Sequence, residues 1–127
     1  IPLGTPVSGR GDASLDRLVG CFVNFLVLRA DTGGDPTFRR LLERVRETDL
    51  AAYAHADLPF ESLVEALNPA RTPARHPLFQ VVLSLQTATA ADGGFEEVPV
   101  EPATAQFDLF FEVTERRAGD GAPQGLD

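Results

Sequence analysis

The sequence predicts a layered α/β fold, one mixed β-sheet covered by helices, and two patterns carry that prediction. Residues 78–86 and 107–114 alternate in polarity with period two, and 22–28 form an almost unbroken apolar run. Between them, apolar side chains recur at helical spacing from Phe38 to Tyr53 and again at Phe60, Leu63, Val64 and Leu67. Strands interleaved with helices of this kind bury their apolar faces against one another in layers.

In chain order, residues 2–7 form a short extended segment limited by Gly4 and Pro6, and 8–12 form a turn. Ser14 is expected to cap a brief helix running to Leu18 or Val19 and stopped by Gly20. The run Phe22 to Leu28 is apolar on both alternating faces except at Asn24, which predicts a central strand. After the loop at 31–34, Asp35-Pro36 supplies a cap and a first-turn proline for the first long helix. Its stripe is Phe38, Leu41, Leu42, Val45, Ala52 and Tyr53, with arginines and glutamates on the other side. Asp49 falls at the stripe's edge or is paired.

Pro59 opens a second helix and Asn68-Pro69 closes it. The passage 71–77 is a connector too rich in proline to continue a helix, and it delivers the chain to the strand at 78–86. Residues 88–106 are expected as a surface loop with a short edge strand near Val98 to Val100. The last strand covers 107–114, and 118–127 is expected as a truncated loop.

At 127 residues the chain is the size of one domain. Nineteen acidic against eleven basic residues, net charge −8, oppose binding to nucleic-acid phosphates or an anionic membrane. The run Cys21 to Leu28 falls well short of the roughly 18 to 20 residues of a membrane span. The first residues, Ile1-Pro2-Leu3-Gly4, carry no secretory signal pattern, and one cysteine cannot form an internal disulfide, so a reducing cytoplasm fits. The absence of methionine and the start at Ile1 suggest a piece of a longer polypeptide.

No residue set makes a self-contained active site. His55 and Asp57 fit a helix terminus better than an acid/base pair, and His76 in its connector is expected to hydrogen-bond nearby backbone. Cys21 is expected as a small buried hydrophobe. One Cys and two separated His do not have metal-ligand spacing, and no phosphate-binding glycine loop occurs. The polar breaks in the strands are more informative: Asn24, Gln80, Ser84 and Asp108 each cost free energy to bury unless hydrogen-bonded. They either tie neighbouring backbone or line a wet channel.

Three segments together resemble the condensation domains of nonribosomal peptide synthetases. Gly20 to Arg29 is similar to the motif G-x-F-V-N-T-x-x-x-R, His55 to Glu61 to [HN]-Q-D-x-P-F-E, and Arg71 to Gln80 to R-x-x-S-R-x-P-L-F-Q. Gly4 to Arg10 and Phe107-Asp108-Leu109 also resemble family positions. Phe25, Ala56 and Ala74 stand where threonine, glutamine and serine are usual.

The resemblance implies a chloramphenicol-acetyltransferase-like lobe, with residues 1–127 forming most of the C-terminal lobe of a two-lobed domain. It implies amide formation between carrier-bound aminoacyl or peptidyl thioesters in a tunnel between lobes. Phosphopantetheine would be carried by partner carrier domains, with no cofactor or metal on this chain. The implied partners are the N-terminal lobe, peptidyl carrier domains and an adenylation domain. The family's catalytic H-H-x-x-x-D-G belongs to the other lobe and is absent from these residues. This chain would then supply tunnel wall and docking surface, with Asn24, Gln80, Ser84 and Asp108 as channel candidates. The alternatives are a non-catalytic condensation-like domain that recruits a tailoring enzyme, and a lobe of a CoA-dependent acyltransferase.

Overall fold

The computed structural model describes residues 1–70, 72, 75–87, 104–118 and 121–127. Its frame is a five-stranded mixed sheet in the order β2-β1-β3-β4-β5. The strands are β1 (Pro2–Ser8), β2 (Val23–Arg29), β3 (Val81–Thr87), β4 (Leu109–Arg117) and β5 (Pro123–Leu126). β1 pairs antiparallel with β2 and parallel with β3, β3 pairs parallel with β4, and β4 antiparallel with β5. Two helices, α1 (Phe38–Tyr53) and α2 (Phe60–Leu67), lie between β2 and β3 in sequence and both pack against β2.

The predicted layers are present, with β2 in a different place from the one its apolar run suggested. It is an edge strand, the first in the sheet, and not a central one. The pattern misleads because α1 and α2 both lean on β2, so residues on both of its faces find cover without a second strand neighbour. The second correction concerns 118–127: Pro123–Leu126, expected as loop, form β5 on the far edge. Gly121, at positive φ, donates to the Ala118 carbonyl in the turn that brings the chain back onto β4, and Gly125, also at positive φ, lies within β5 opposite Arg116. The expected strand at Val98 to Val100, and most of the loop at 88–106, lie outside the described residues.

Helix boundaries follow capping chemistry. Asp35 has φ 47°, a left-handed conformation that cannot start a helix, and Thr37 caps α1 instead by accepting from the Arg40 amide at 3.4 Å. The brief element near Ser14 is a three-residue 3-10 turn, Ala13–Leu15. Its cap is Asp12, whose carboxylate accepts from the Ser14 amide at 2.7 Å. That hydrogen bond from Ser14 is the largest cause holding the Asp12 carboxyl below its ordinary pKa. α2 ends as predicted, on Asn68 in the left-handed region at φ 41°.

The core gathers on one face of the sheet. Gly4 pairs with Val27 on β2 and Val82 on β3, so the three face the same way. Phe79 and Val82 are fully buried there, and a Cβ built on Gly4 would overlap the Phe79 ring. Gly4 is thus glycine because an aromatic ring occupies its side-chain space. On the opposite face Thr5, Leu26 and Leu28 are buried toward the β2 edge, while Leu83, Leu85, Leu109 and Phe111 are exposed.

Candidate functional site

The three segments singled out by their sequences come together at the N-terminal end of α2. Asn24 projects from β2 and uses its side-chain amide in both directions. Its Nδ2 donates to the Ala56 carbonyl at 3.0 Å and the Leu58 carbonyl at 2.8 Å, and its Oδ1 accepts from the Phe60 amide at 3.0 Å. Pro59 occupies the cap position and offers no side-chain acceptor, so Asn24 satisfies an α2 N-terminal amide from 36 residues away. One amide side chain therefore fixes the turn before α2, and with it the helix's entry angle, to the sheet.

The third segment packs beneath. Phe79 lies at the centre of a ring cluster, with centroids 5.8 Å from Phe25, 5.7 Å from Phe60, 4.0 Å from His76 and 5.6 Å from Phe107. His76 also stacks on Phe60 at 5.1 Å and meets Phe107 edge-on at 5.3 Å. Offset and edge-on ring pairs of this kind add to the apolar burial itself. The imidazole Nδ1 is buried without a hydrogen-bond partner among the described residues. Burial pushes the His76 pKa below its ordinary value, against a smaller upward pull from a hydrogen bond with the Phe79 backbone. The ring's setting is thus an aromatic box.

A cavity of about 410 Å³ opens beside this box, walled by Phe25, Phe60, Phe107 and His76, with Glu61 and Gln106 as its polar members. A neighbouring concavity of about 320 Å³ is lined in part by Cys21, Asn24, Asp57 and Glu61. Asn24 ties backbone, and it also borders this surface concavity. Cys21 is exposed, contrary to the expected burial, because it precedes β2 at the surface and not inside the strand.

Of the other channel candidates, Gln80 and Asp108 are brought together: the Gln80 carbonyl accepts from the Asp108 amide at 3.0 Å and the Leu109 amide at 3.2 Å. The Gln80 side chain donates to the His76 carbonyl at 2.9 Å, bracing the turn that places the imidazole. Ser84 is buried within β3, and Asp108 is exposed. No hydrogen bond among the described residues joins Asn24 or the Ser84 side chain to that pair. His55 and Asp57, weighed above as a pair, are both exposed. Sequence reasoning missed the aromatic box; its signal was Phe60 at the first position of α2 together with His76, Phe79 and Phe107 just ahead of β3 and β4.

Among the described residues no group of three or more His, Cys, Asp or Glu could hold a metal ion. No described helix is long and apolar enough to cross a membrane.

Comparison with known proteins places these features. A dimodular nonribosomal peptide synthase of Bacillus subtilis is 51% identical over 132 residues, covering 100% of this chain and 6% of the relative. An isonitrile lipopeptide synthase of Mycobacterium tuberculosis is 43% identical over 131 residues, covering 99% of this chain and 5% of the relative. The chain thus spans a small fraction of the synthetases it matches. Among solved structures, the complex of the X-domain and OxyB from teicoplanin biosynthesis superposes with a TM-score of 0.80 at 32% identity, covering 99% of this chain and 28% of that one. The Condensation domain family matches residues 1–120, a span that holds the Asn24 tie, the α2 turn and the aromatic box together, and the chain belongs to that family, as part of a condensation domain of a nonribosomal peptide synthetase.

Proposed function

We propose that this chain forms most of the C-terminal lobe of a condensation domain that joins carrier-bound aminoacyl or peptidyl thioesters through an amide bond, and that it supplies tunnel wall and carrier docking surface. The observation that carries the reading is the Asn24 tie: it welds the first motif to the second, while His76 and Phe79 of the third pack against Phe60 of the second. Three family motifs thus form one mechanical unit whose exposed rim includes Asn24 and Glu61. In the reaction, the acceptor amine attacks the thioester carbonyl, the carbon–sulfur bond breaks, and the thiol leaves on its carrier. Holding the two thioesters in register supplies much of the acceleration, because it replaces a bimolecular encounter by an oriented one.

The general base for that attack belongs to H-H-x-x-x-D-G, which these residues do not contain. In this reading Asn24, Gln80, Ser84 and Asp108 are wall residues and not catalytic ones. Asn24 retains one lone pair on Oδ1 after its three hydrogen bonds, enough to orient a donor in the chamber. The phosphopantetheine arms come from peptidyl carrier domains, an adenylation domain loads them, and the N-terminal lobe completes the tunnel in a reducing cytoplasm. The test is the parent polypeptide with donor and acceptor loaded on their carriers: mass spectrometry should find the amide on the acceptor carrier. Loaded carriers that yield no amide overturn the reading.

A second reading has one observation in its favour, the superposition on an X-domain solved in complex with OxyB. By that analogy the domain would bind a tailoring enzyme without forming amides. A parent sequence in which H-H-x-x-x-D-G is degraded would select it.

A further inference from the structure

Residues 9–22, between β1 and β2, form a closed loop with its own internal clamp. The Gly9 amide donates to the Phe22 carbonyl at 2.7 Å, so the two ends meet where the β1–β2 ladder stops. Loops closed in this way are packed by their own side chains, and here that side chain is Arg10. Its guanidinium donates to the Leu15 carbonyl, which ends the 3-10 turn, to the Leu18 carbonyl at 2.9 Å, and more weakly to the Gly20 carbonyl at 3.5 Å. Its Cζ also lies 4.1 Å from the centroid of the Phe22 ring. Arg10 has no ion pair among the described residues, so its charge is held by carbonyls and a ring alone. A planar fork that bonds several carbonyls while stacked on an aromatic face is chemistry that a lysine does not reproduce.

The clamp matters because of where the ends of the loop stand. Gly9, Cys21 and Phe22 line the concavity of about 320 Å³ at Asn24, together with the turn that leads into α2. The Asn24 side chain fixes the α2 part of that wall and bonds to nothing in the loop. We propose that Arg10 is a positioning residue for condensation, which locks the Gly9–Phe22 part of the wall as Asn24 locks the α2 part, so that both are in place before substrate arrives. This role rests on the reading of the concavity as tunnel wall. Arg10 does not line that concavity, so its loss is felt in the alignment of substrate and not in its affinity. Alignment is where the rate is sensitive: a misplacement of about 1 Å can cost on the order of 100-fold.

The test uses the full-length polypeptide, with the loaded acceptor carrier supplied at varied concentration. Arg10→Ala should lower kcat for amide formation about tenfold while the KM for the carrier stays that of the parent, the split expected of misalignment. Arg10→Lys keeps the charge and flexible donors without the planar fork, and should recover about threefold of that loss. Hydrogen exchange needs neither carrier nor thioester; in Arg10→Ala it should quicken about tenfold at the Gly9 amide and stay unchanged at the Phe60 amide. Arg17→Ala, exposed on the same loop, should match the parent throughout. A loss of activity that only tracks the unfolded fraction makes Arg10 structural and overturns the proposal. A raised KM with kcat intact overturns it too, as does an Arg10→Lys no better than Arg10→Ala. If Arg10→Ala does not fold, Arg10→Lys decides alone: a kcat about threefold below the parent supports the role, and a parent-like kcat ends it. A parent that forms no amide removes the condensation reading and this role with it. A parent that forms amide, with Arg10 variants that match it, removes the positioning role only.

Discussion

On the face that carries Gly4, Val27 and Val82, α2 closes a ring cluster around Phe79 to zero exposure. On the opposite face Leu83 and Leu85 of β3, the middle strand of the sheet, stand 38% and 68% exposed beside Leu109 and Phe111 at 53% and 52%. Both faces carry large apolar side chains, so hydrophobicity alone does not separate them. What separates them is the origin of the cover: β2, α2 and the His76 turn lie within this chain, whereas the β3–β4 strip has no helix against it among the described residues. Contiguous exposed apolar surface marks an interaction site. In the proposed domain its occupant is the remaining polypeptide, consistent with the chain spanning 28% of the solved X-domain chain it superposes on.

The sharpest way to break this comparison is to disturb the packed ring face, once by truncation and once by overpacking. Phe79→Ala removes the hub of four ring contacts and should cost about 3 to 5 kcal/mol, the range for buried Phe truncations. A thermal melt of the domain should show the midpoint falling by more than about 10 °C. Gly4→Ala should be comparably damaging, because its new methyl group occupies Phe79's position. A small loss for Phe79→Ala would mean that the ring face is no better packed than the open one.

Next in size is the tie. Asn24→Ala leaves the Phe60 amide and two carbonyls without their partner, and should cost about 1 to 3 kcal/mol in chemical denaturation. Hydrogen exchange at the Phe60 amide should accelerate more than at the Leu26 amide in the strand ladder. Asn24→Asp separates the two directions of the tie: it keeps an acceptor for Phe60 but loses both donors and sets a charge against two carbonyls. If Asn24→Ala slows condensation while leaving Phe60 exchange unchanged, the side chain acts on substrate and not on α2.

These residues also show where sequence reasoning succeeds. The α2 stop was legible because Asn68-Pro69 is local chemistry: a left-handed cap followed by a residue that cannot continue a helix. The strand at 78–86 was legible as period two, but its polarity pointed the wrong way. Val82 and Ser84, which alternate with the polar Gln80 and Gln86, are buried, and Leu83 and Leu85, on the wholly apolar alternate, are open. Periodicity states which residues share a face; it carries no information on which face this particular stretch of polypeptide covers. Asn24 stood out as a polar break, yet its partners lie 32 to 36 residues away, a tertiary pairing that no local pattern encodes. Asp35 failed as a cap because the turn through Gly34, at φ 80°, carries it into the left-handed region.

The third test uses pH. The folded pKa of His76 is depressed below its ordinary 6.5, so the unfolded chain takes up a proton that the folded chain resists. Stability from this group is therefore complete above about pH 6.5 and declines as the pH falls below it. Asp49 on α1, half-buried at the stripe's edge and with its carboxyl pKa raised by desolvation, acts in the opposite sense and in the lower, carboxylate range. Melting temperature against pH should thus fall from pH 7 toward 5.5, and His76→Phe should flatten that limb. An unchanged slope in the variant would assign the acid sensitivity to another group.

The smallest effect within this chain is expected at Leu85, and it separates two meanings of an exposed apolar residue. Leu85→Gln changes a side chain that is already in water, so the isolated chain should shift by no more than about 0.5 kcal/mol. The same substitution in the complete domain should cost several times as much, because there the strip is proposed to be buried and an amide would enter an apolar contact without a partner. Equal shifts in the two settings would show that the strip remains open in the domain and belongs to an external partner, which a binding assay with the carrier domains could then find. A loss confined to the complete domain identifies the strip as an internal seam. The ring face would then be the part of the fold that this chain builds alone, and the β3–β4 strip the part it builds with the rest of the polypeptide.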